Sequence, residues 1–273
     1  MNRTEIKAAI IDLYNNEENL GIGAITNLLT EFNGKVNGQS LVNHRFETRY
    51  KAEVPDLSYD IYISSGGPGS PFEGEGTVWE KNYFDLLDKI WNHNQTNARK
   101  KYLFFICHSF QMMARFFNLG AVTKRKSRSF GIFPVHKTEA GTHDPILKNL
   151  PEPFFAADFR WWQVIQPNNK VFHELGAKIL ALEKIRPHVE YERALMAVRI
   201  SPEIFGTQFH PEAHPEGMRY HYQKEGIKQK VINDVGEKKY YNILEQLEDP
   251  EKVELTQKTV LPLFLEQAIK NLV

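Results

Sequence analysis

The 273-residue chain contains one cysteine, Cys107, and its neighbours decide what a lone thiol could do. As a residue type, free cysteine is most often inert packing. Here it follows the apolar run Tyr102-Leu-Phe-Phe-Ile106 and precedes a segment of helical periodicity from Ser109 to Asn118. A strand that turns sharply into a helix lifts the corner side chain out of the sheet, and the helix N-terminus offers backbone N–H groups and a positive dipole end. Both favour the thiolate, the nucleophilic form. A thiol also needs a base. The candidates are His210 and Glu212, in Gln208-Phe-His-Pro-Glu212. Residues two apart on extended backbone share a side, and Pro211 keeps His210 out of the helical region. Glu212 can therefore reach the imidazole, fix its tautomer and support the imidazolium, the third role in a nucleophile-base-orienter triad. Read in isolation, His210 would cap a strand and Glu212 would be solvated; a candidate cysteine elsewhere in the chain tilts the reading towards catalysis.

An attacked carbonyl also needs donors for its developing negative charge. The loop Ser65-Gly-Gly-Pro-Gly69 follows another apolar run, and its glycines let a backbone N–H approach closely. The expected oxyanion donors are Gly67 N–H and His108 N–H. Taken alone, Gly-Pro-Gly reads equally well as a plain turn.

The elements that must position these groups alternate between strand and helix. Lys7 to Leu13 reads as a buried strand, followed by an apolar-periodic segment ending near Phe32; Tyr59 to Ser64 and the helix Val78 to His93 repeat the unit, and Lys101 to Ile106 with the helix after Cys107 repeats it again. Such alternation predicts a three-layer α/β domain, an open, mainly parallel sheet flanked by helices. Shorter strand signals follow at Phe130 to His136, Phe154 to Phe159, Ala177 to Lys184 and Ala194 to Ile200. Beyond Gly217 the composition turns to charged helices, expected at Met218 to Lys230, Asn233 to Leu247 and Leu261 to Leu272, with Pro262 in the first turn of the last. The expected division is a catalytic domain over residues 1–216 and a C-terminal helical extension over 217–273, an appendage shorter than the roughly 100 to 200 residues of a typical domain.

Gly66-Gly-Pro-Gly-Ser-Pro71, Cys107-His-Ser-Phe-Gln111 and Gly206-Thr-Gln-Phe-His-Pro-Glu212 resemble, in order and spacing, the three motifs of the class I (triad) glutamine amidotransferases, among them the glutaminase domain of guanosine monophosphate synthetase. The resemblance covers roughly residues 5 to 216. It implies that Cys107 attacks the side-chain amide of glutamine, that His210 moves the proton, and that Glu212 orients it, with ammonia leaving and a γ-glutamyl thioester then hydrolysed to glutamate. Gln111 matches a position that touches bound glutamine. Phe105 and Ser109 stand where the family usually has glycine; serine is small enough, and Phe105 requires compensating space. In Phe159-Arg-Trp-Trp-Gln-Val164 the family commonly has Ser-His ahead of residues whose backbone grips the substrate, and Trp161 and Trp162 would build a bulkier, more apolar wall there.

Composition narrows the partners. Lys plus Arg and Asp plus Glu number 34 each, so no global field gathers nucleic acid or anionic membrane. The run Lys124-Arg-Lys-Ser-Arg128 reads as a solvated turn, and Gly21-Ile-Gly23 lacks the rest of a dinucleotide fingerprint. Pro211 and Pro215 forbid a helical metal face through His210 and His214. No metal or cofactor is expected. A single cysteine and the absence of an N-terminal apolar h-region or membrane span predict a cytoplasmic protein. The expected reaction is hydrolysis of the γ-amide of L-glutamine, with ammonia passing to a separate ATP-dependent synthetase. The alternatives are a free-standing γ-glutamyl hydrolase or transferase acting on a larger conjugate, and a catalytically weak regulatory or binding subunit.

Overall fold

The computed structural model describes residues 5–33, 40–185 and 192–273. In chain order the elements are β1 (Glu5–Ile11), α1 (Gly21–Asn33), β2 (Ser40–Phe46), α2 (Thr48–Lys51), β3 (Ile61–Ser64), α3 (Val78–Thr96), β4 (Tyr102–Ile106), α4 (His108–Phe116), β5 (Ala121–Lys137), α5 (Glu139–His143), β6 (Phe154–Ile165), α6 (Asn169–Leu175), β7 (Lys178–Glu183), β8 (Leu195–Ser201), β9 (Ile204–Thr207), α7 (Pro215–Gln223), α8 (Glu225–Val235), α9 (Glu237–Glu248) and α10 (Leu255–Leu272). The strands form one sheet in the order β2-β1-β3-β4-β9-β8-β7-β5-β6. From β2 to β9 the pairings are parallel. Beyond β9 they are antiparallel, so an antiparallel wing extends the expected parallel sheet.

β4 shows how the layers form. All five of its residues are buried, as a central parallel strand requires. Successive side chains go to opposite faces. Tyr102 and Phe104 join α1 and α10 in one core, whereas Leu103 and Phe105 join α3 and α4 in the other. The space Phe105 needs lies next door, because its partner on β9 is Gly206. That glycine is itself required, since a Cβ there would stand 2.9 Å from Phe110 on α4.

The C-terminal helices are fastened at two places. α7, α8 and α9 cover the antiparallel wing through Met218, Val231, Tyr240, Ile243 and Leu247, packed with Phe130 and Ile132 of β5. α10 instead enters the core of the parallel half, burying Val260, Leu261, Phe264, Leu265 and Ala268 completely or nearly so. Two local expectations change. The helix expected over Met218 to Lys230 is two, α7 and α8, separated at Lys224. Pro262 lies inside α10 rather than in its first turn.

The basic run at Lys124 to Arg128 is a larger correction. It is part of β5, at a shift in the β5–β6 register, and not a turn. Arg125 is 8% exposed and bonds Gln163 Oε1 at 2.8 Å and both carboxylate oxygens of Glu183, at 3.1 and 2.9 Å. Distant partners absorb a charge that local sequence assigns to water. No helix among the described residues is long and apolar enough to cross a membrane.

Candidate active site

The carboxyl ends of β1, β3, β4 and β9 lie side by side, the place where open parallel sheets gather ligands. Cys107 sits at the end of β4 with φ 49° and ψ −95°, immediately before α4. Such a backbone is strained for a residue with a Cβ and persists only where the surroundings impose it. Three bonds impose it here. Cys107 N–H donates to Thr207 O at the end of β9, 2.8 Å away. Ser109 Oγ accepts from Ile106 N–H at 2.8 Å and donates to Ser64 O at 2.7 Å. Serine in the place of a glycine thus ties the turn to β3.

The register of β4 against β9 brings the 208–212 segment to the thiol. His210 N–H donates to Ala157 O of β6 at 2.9 Å, and His210 Nδ1 pairs with Glu212 Oε1 at 2.8 Å. The Cys107 side chain lies close enough to act on the imidazole electrostatically. Burial alone would push the imidazole pKa down, but the Glu212 carboxylate and the Cys107 sulfur outweigh it and hold the pKa well above the ordinary histidine value. The second histidine beside the thiol has the opposite character. Burial, reinforced by Arg49 and Arg115, lowers the pKa of His108 to about 3, so that imidazole stays neutral. Of the two imidazoles, only His210 is held towards its protonated form.

Glycines let the groups approach. A Cβ on Gly66 would stand 2.9 Å from His210 Cε1 and 3.0 Å from the Tyr14 hydroxyl, and one on Gly67 would collide with Leu13 O. Gly67 N–H and His108 N–H make no hydrogen bond among the described residues and remain available as donors. The loop carrying Gly67 is clamped from outside. Arg49 donates to Pro68 O at 2.6 Å, and Arg115 donates to Pro71 O while pairing with Glu80 at 2.5 Å.

Several of these residues gave no signal in the sequence. Tyr14, in the loop after β1, presses its hydroxyl between Gly21 and Gly66, and burial together with Glu212 and Cys107 raises its pKa well above the usual phenol range. Gly21 opens α1, and a Cβ there would stand 3.2 Å from Glu212 Oε1, so the positive end of that helix faces the carboxylate. Arg160 is 4% exposed and bonds Asp158 at 2.8 Å and Trp162 O at 3.1 Å; the Cys107 sulfur adds to the charges that favour its cationic form.

The three expected substrate residues come together where Gln111 of α4 meets the β6 segment that carries Trp161 and Trp162. Gln111 Nε2 donates to Trp162 O at 3.3 Å and Gln208 Oε1 at 3.4 Å. Trp162 packs on Phe72 at 5.5 Å, and Trp161, 47% exposed, lies under Lys124 Nζ at 5.8 Å. Neither tryptophan lines the cavity of about 610 Å³ that opens beside His210, Glu212 and Gly67.

The His210–Glu212 pair carries a direct test. Replacing Glu212 by Gln removes the larger of the two charges that raise the His210 pKa, while burial remains. The imidazole is expected to titrate above the ordinary histidine value of about 6.5 in the native protein and well below its native position in Glu212→Gln, as read by NMR of labelled histidine. An unmoved titration would show that the two groups are not coupled.

The family described as "Glutamine amidotransferase class-I" matches residues 24–229. The fold is similar to a glutamine amidotransferase of Thermotoga maritima at TM-score 0.68 and 18% identity, over 97% of this chain and 98% of that one. A glutamine amido transferase of Methylobacillus flagellatus gives TM-score 0.63 at 11% identity, over 97% and 95%. A protein of Thermoplasma acidophilum described as a putative GMP synthase component gives 0.52 at 17%, over 76% and 85%. Identities this low concern the fold alone. No match to the sequence is found among curated proteins.

Proposed function

Because the chain belongs to the class-I glutamine amidotransferase family, whose members hydrolyse the side-chain amide of glutamine, we propose that Cys107, His210 and Glu212 carry that reaction here. The observation that supports this most is the 2.8 Å His210–Glu212 pair beside a cysteine held at positive φ before a helix. The Cys107 sulfur attacks the γ-carbonyl carbon, and the oxyanion formed is met by Gly67 N–H and His108 N–H. His210, kept protonated by Glu212, delivers its proton to the departing nitrogen, so the C–N bond breaks to release ammonia and leave a thioester on Cys107. Water then attacks the thioester as His210 takes its proton, and glutamate departs. Glu212 holds Nδ1 throughout, which keeps Nε2 directed at the reacting atoms. Gln111 and the strand segment at Trp161 and Trp162 are proposed to hold the amino acid end of the substrate on the side away from His210.

Ammonia delivery to a separate ATP-dependent synthetase is the second reading. It is favoured by the fold neighbour described as a putative GMP synthase component.

Active-site labelling tests the assignment. A diazoketone analogue of glutamine, 6-diazo-5-oxo-L-norleucine, should alkylate Cys107 as the single adduct found by mass spectrometry. Excess glutamine should protect it, and Cys107→Ser should remain unlabelled. An adduct elsewhere, or one that glutamine does not displace, would remove the assignment.

A further inference from the structure

From the cavity beside His210 we infer that this site takes γ-glutamyl amides of organic primary amines with an apolar body, and that the amine occupies a leaving-group pocket built partly by the C-terminal extension. The inference rests on the triad chemistry proposed above.

The direction of departure follows from the proton. His210 must protonate the leaving nitrogen, so the leaving group lies on the open side of the imidazole. A cavity of about 610 Å³, lined by His210, Glu212 and Gly67 though not by Cys107, opens beside the imidazole. A molecule the size of ammonia or water claims only about 30 Å³. The space is therefore far larger than the leaving group of glutamine.

Its wall has a consistent chemistry. The Phe159 ring lies 6.0 Å from His210, Phe130 lies 4.9 Å from Phe159, and Tyr222 of α7 closes the set at 6.5 Å from Phe159 and 6.2 Å from Phe130. Three aromatic rings thus run outward from the proton donor, and Met218 of α7 adds to them. Continuous aromatic surface recognises an apolar or flat body, and ammonia makes no use of it. At the far end the charges are mixed. Arg128 stacks on Phe130 at 4.6 Å and pairs with Asp234 at 3.5 Å, while Glu17 and Glu18 line the facing wall. No single sign prevails there, so the recognised feature is the body of the amine rather than a charge at its end. Met218 and Tyr222 belong to the extension, which gives residues 217–273 a part in choosing the substrate.

The chemistry balances in both directions. In cleavage, the Cys107 sulfur bonds the γ-carbon, the C–N bond breaks, the nitrogen takes the proton of His210, and water later releases glutamate. In transfer, the amine nitrogen attacks the thioester, the C–S bond breaks, and the amine proton returns through His210 to the sulfur.

The test compares γ-L-glutamylbenzylamide with glutamine on the purified chain. Benzylamine and ammonia are similarly basic, so a rate difference reports recognition of the leaving group rather than its intrinsic reactivity. The expected ratio of kcat/KM, benzylamide over glutamine, is on the order of tenfold to a hundredfold, the range one well-filled apolar contact supplies. Tyr222→Leu and Phe130→Leu should each lower that ratio about tenfold, with folding checked by thermal melting. Glutamine turned over in the presence of free benzylamine should also yield γ-glutamylbenzylamide, detected by mass spectrometry. Glutamine cleaved as fast as the benzylamide or faster, with no transfer product, would overturn the inference and leave the triad assignment standing. A ratio above ten that neither variant lowers would overturn the assigned pocket. Turnover of both substrates that survives in Cys107→Ser, or no turnover of either, would instead take down the triad reading and this one with it.

Discussion

Cys107→Ala and His210→Ala are expected to lose roughly 10⁴- to 10⁶-fold in kcat for glutamine hydrolysis, and Glu212→Gln about 10- to 100-fold less than either. The inequality follows from the geometry. Without the sulfur no thioester forms, and without the imidazole neither the thiol proton nor the leaving-group proton has a carrier. Glutamine at position 212 still offers an oxygen to His210 Nδ1, now 2.8 Å from a carboxylate oxygen, so the tautomer survives. What is lost is the charge that supports the imidazolium. Because the two residues act as a unit, the double variant Cys107→Ala with His210→Ala should be scarcely worse than either alone. Ammonia release from glutamine, with melting curves to show that each variant folds, measures all four. Substantial turnover by Cys107→Ala, or equal losses in all three single variants, would place the chemistry elsewhere.

How much of this was legible before the structure depends on how local each signal is. β4 and the turn at Cys107 could be read because a strand buried on both faces is a continuous apolar run. β2 was not legible. Ser40–Phe46 is an outer strand that pairs only with β1, only Leu41 in it is buried, and Asn43, His44 and Arg45 read as loop. Arg125 was misread for a related reason, since the acceptors that bury it are 38 and 58 residues away. Tyr14 and Gly21 act on the His210–Glu212 pair purely through proximity, with no spacing to announce them. Sequence reading therefore finds the candidate catalytic groups more readily than the long-range contacts that set their charge.

The second large effect concerns α10, whose sequence suggests an appendage and whose packing does not. Phe264 is 1% exposed and meets Phe104 edge to face at 5.1 Å and Tyr102 at 6.4 Å. Phe104 lies on β4 three residues before Cys107, so α10 supports the strand that carries Cys107. Two further bonds fasten the helix, from Thr256 Oγ1 to Phe155 O at 2.6 Å and from Arg99 to Leu272 O at 2.9 Å. Phe264→Ala is expected to destabilise the protein by about 3 to 5 kcal/mol, the usual cost of removing a fully buried phenylalanine from a rigid core. At about 2 to 4 °C per kcal/mol for a chain of this size, the single melting transition should fall by roughly 6 to 20 °C. Residues 1–216 and 217–273 would then unfold together. Calorimetry resolving two transitions, with the upper one unmoved by the substitution, would show that the helices form a separate unit and that the sheet holds Cys107 in place without them.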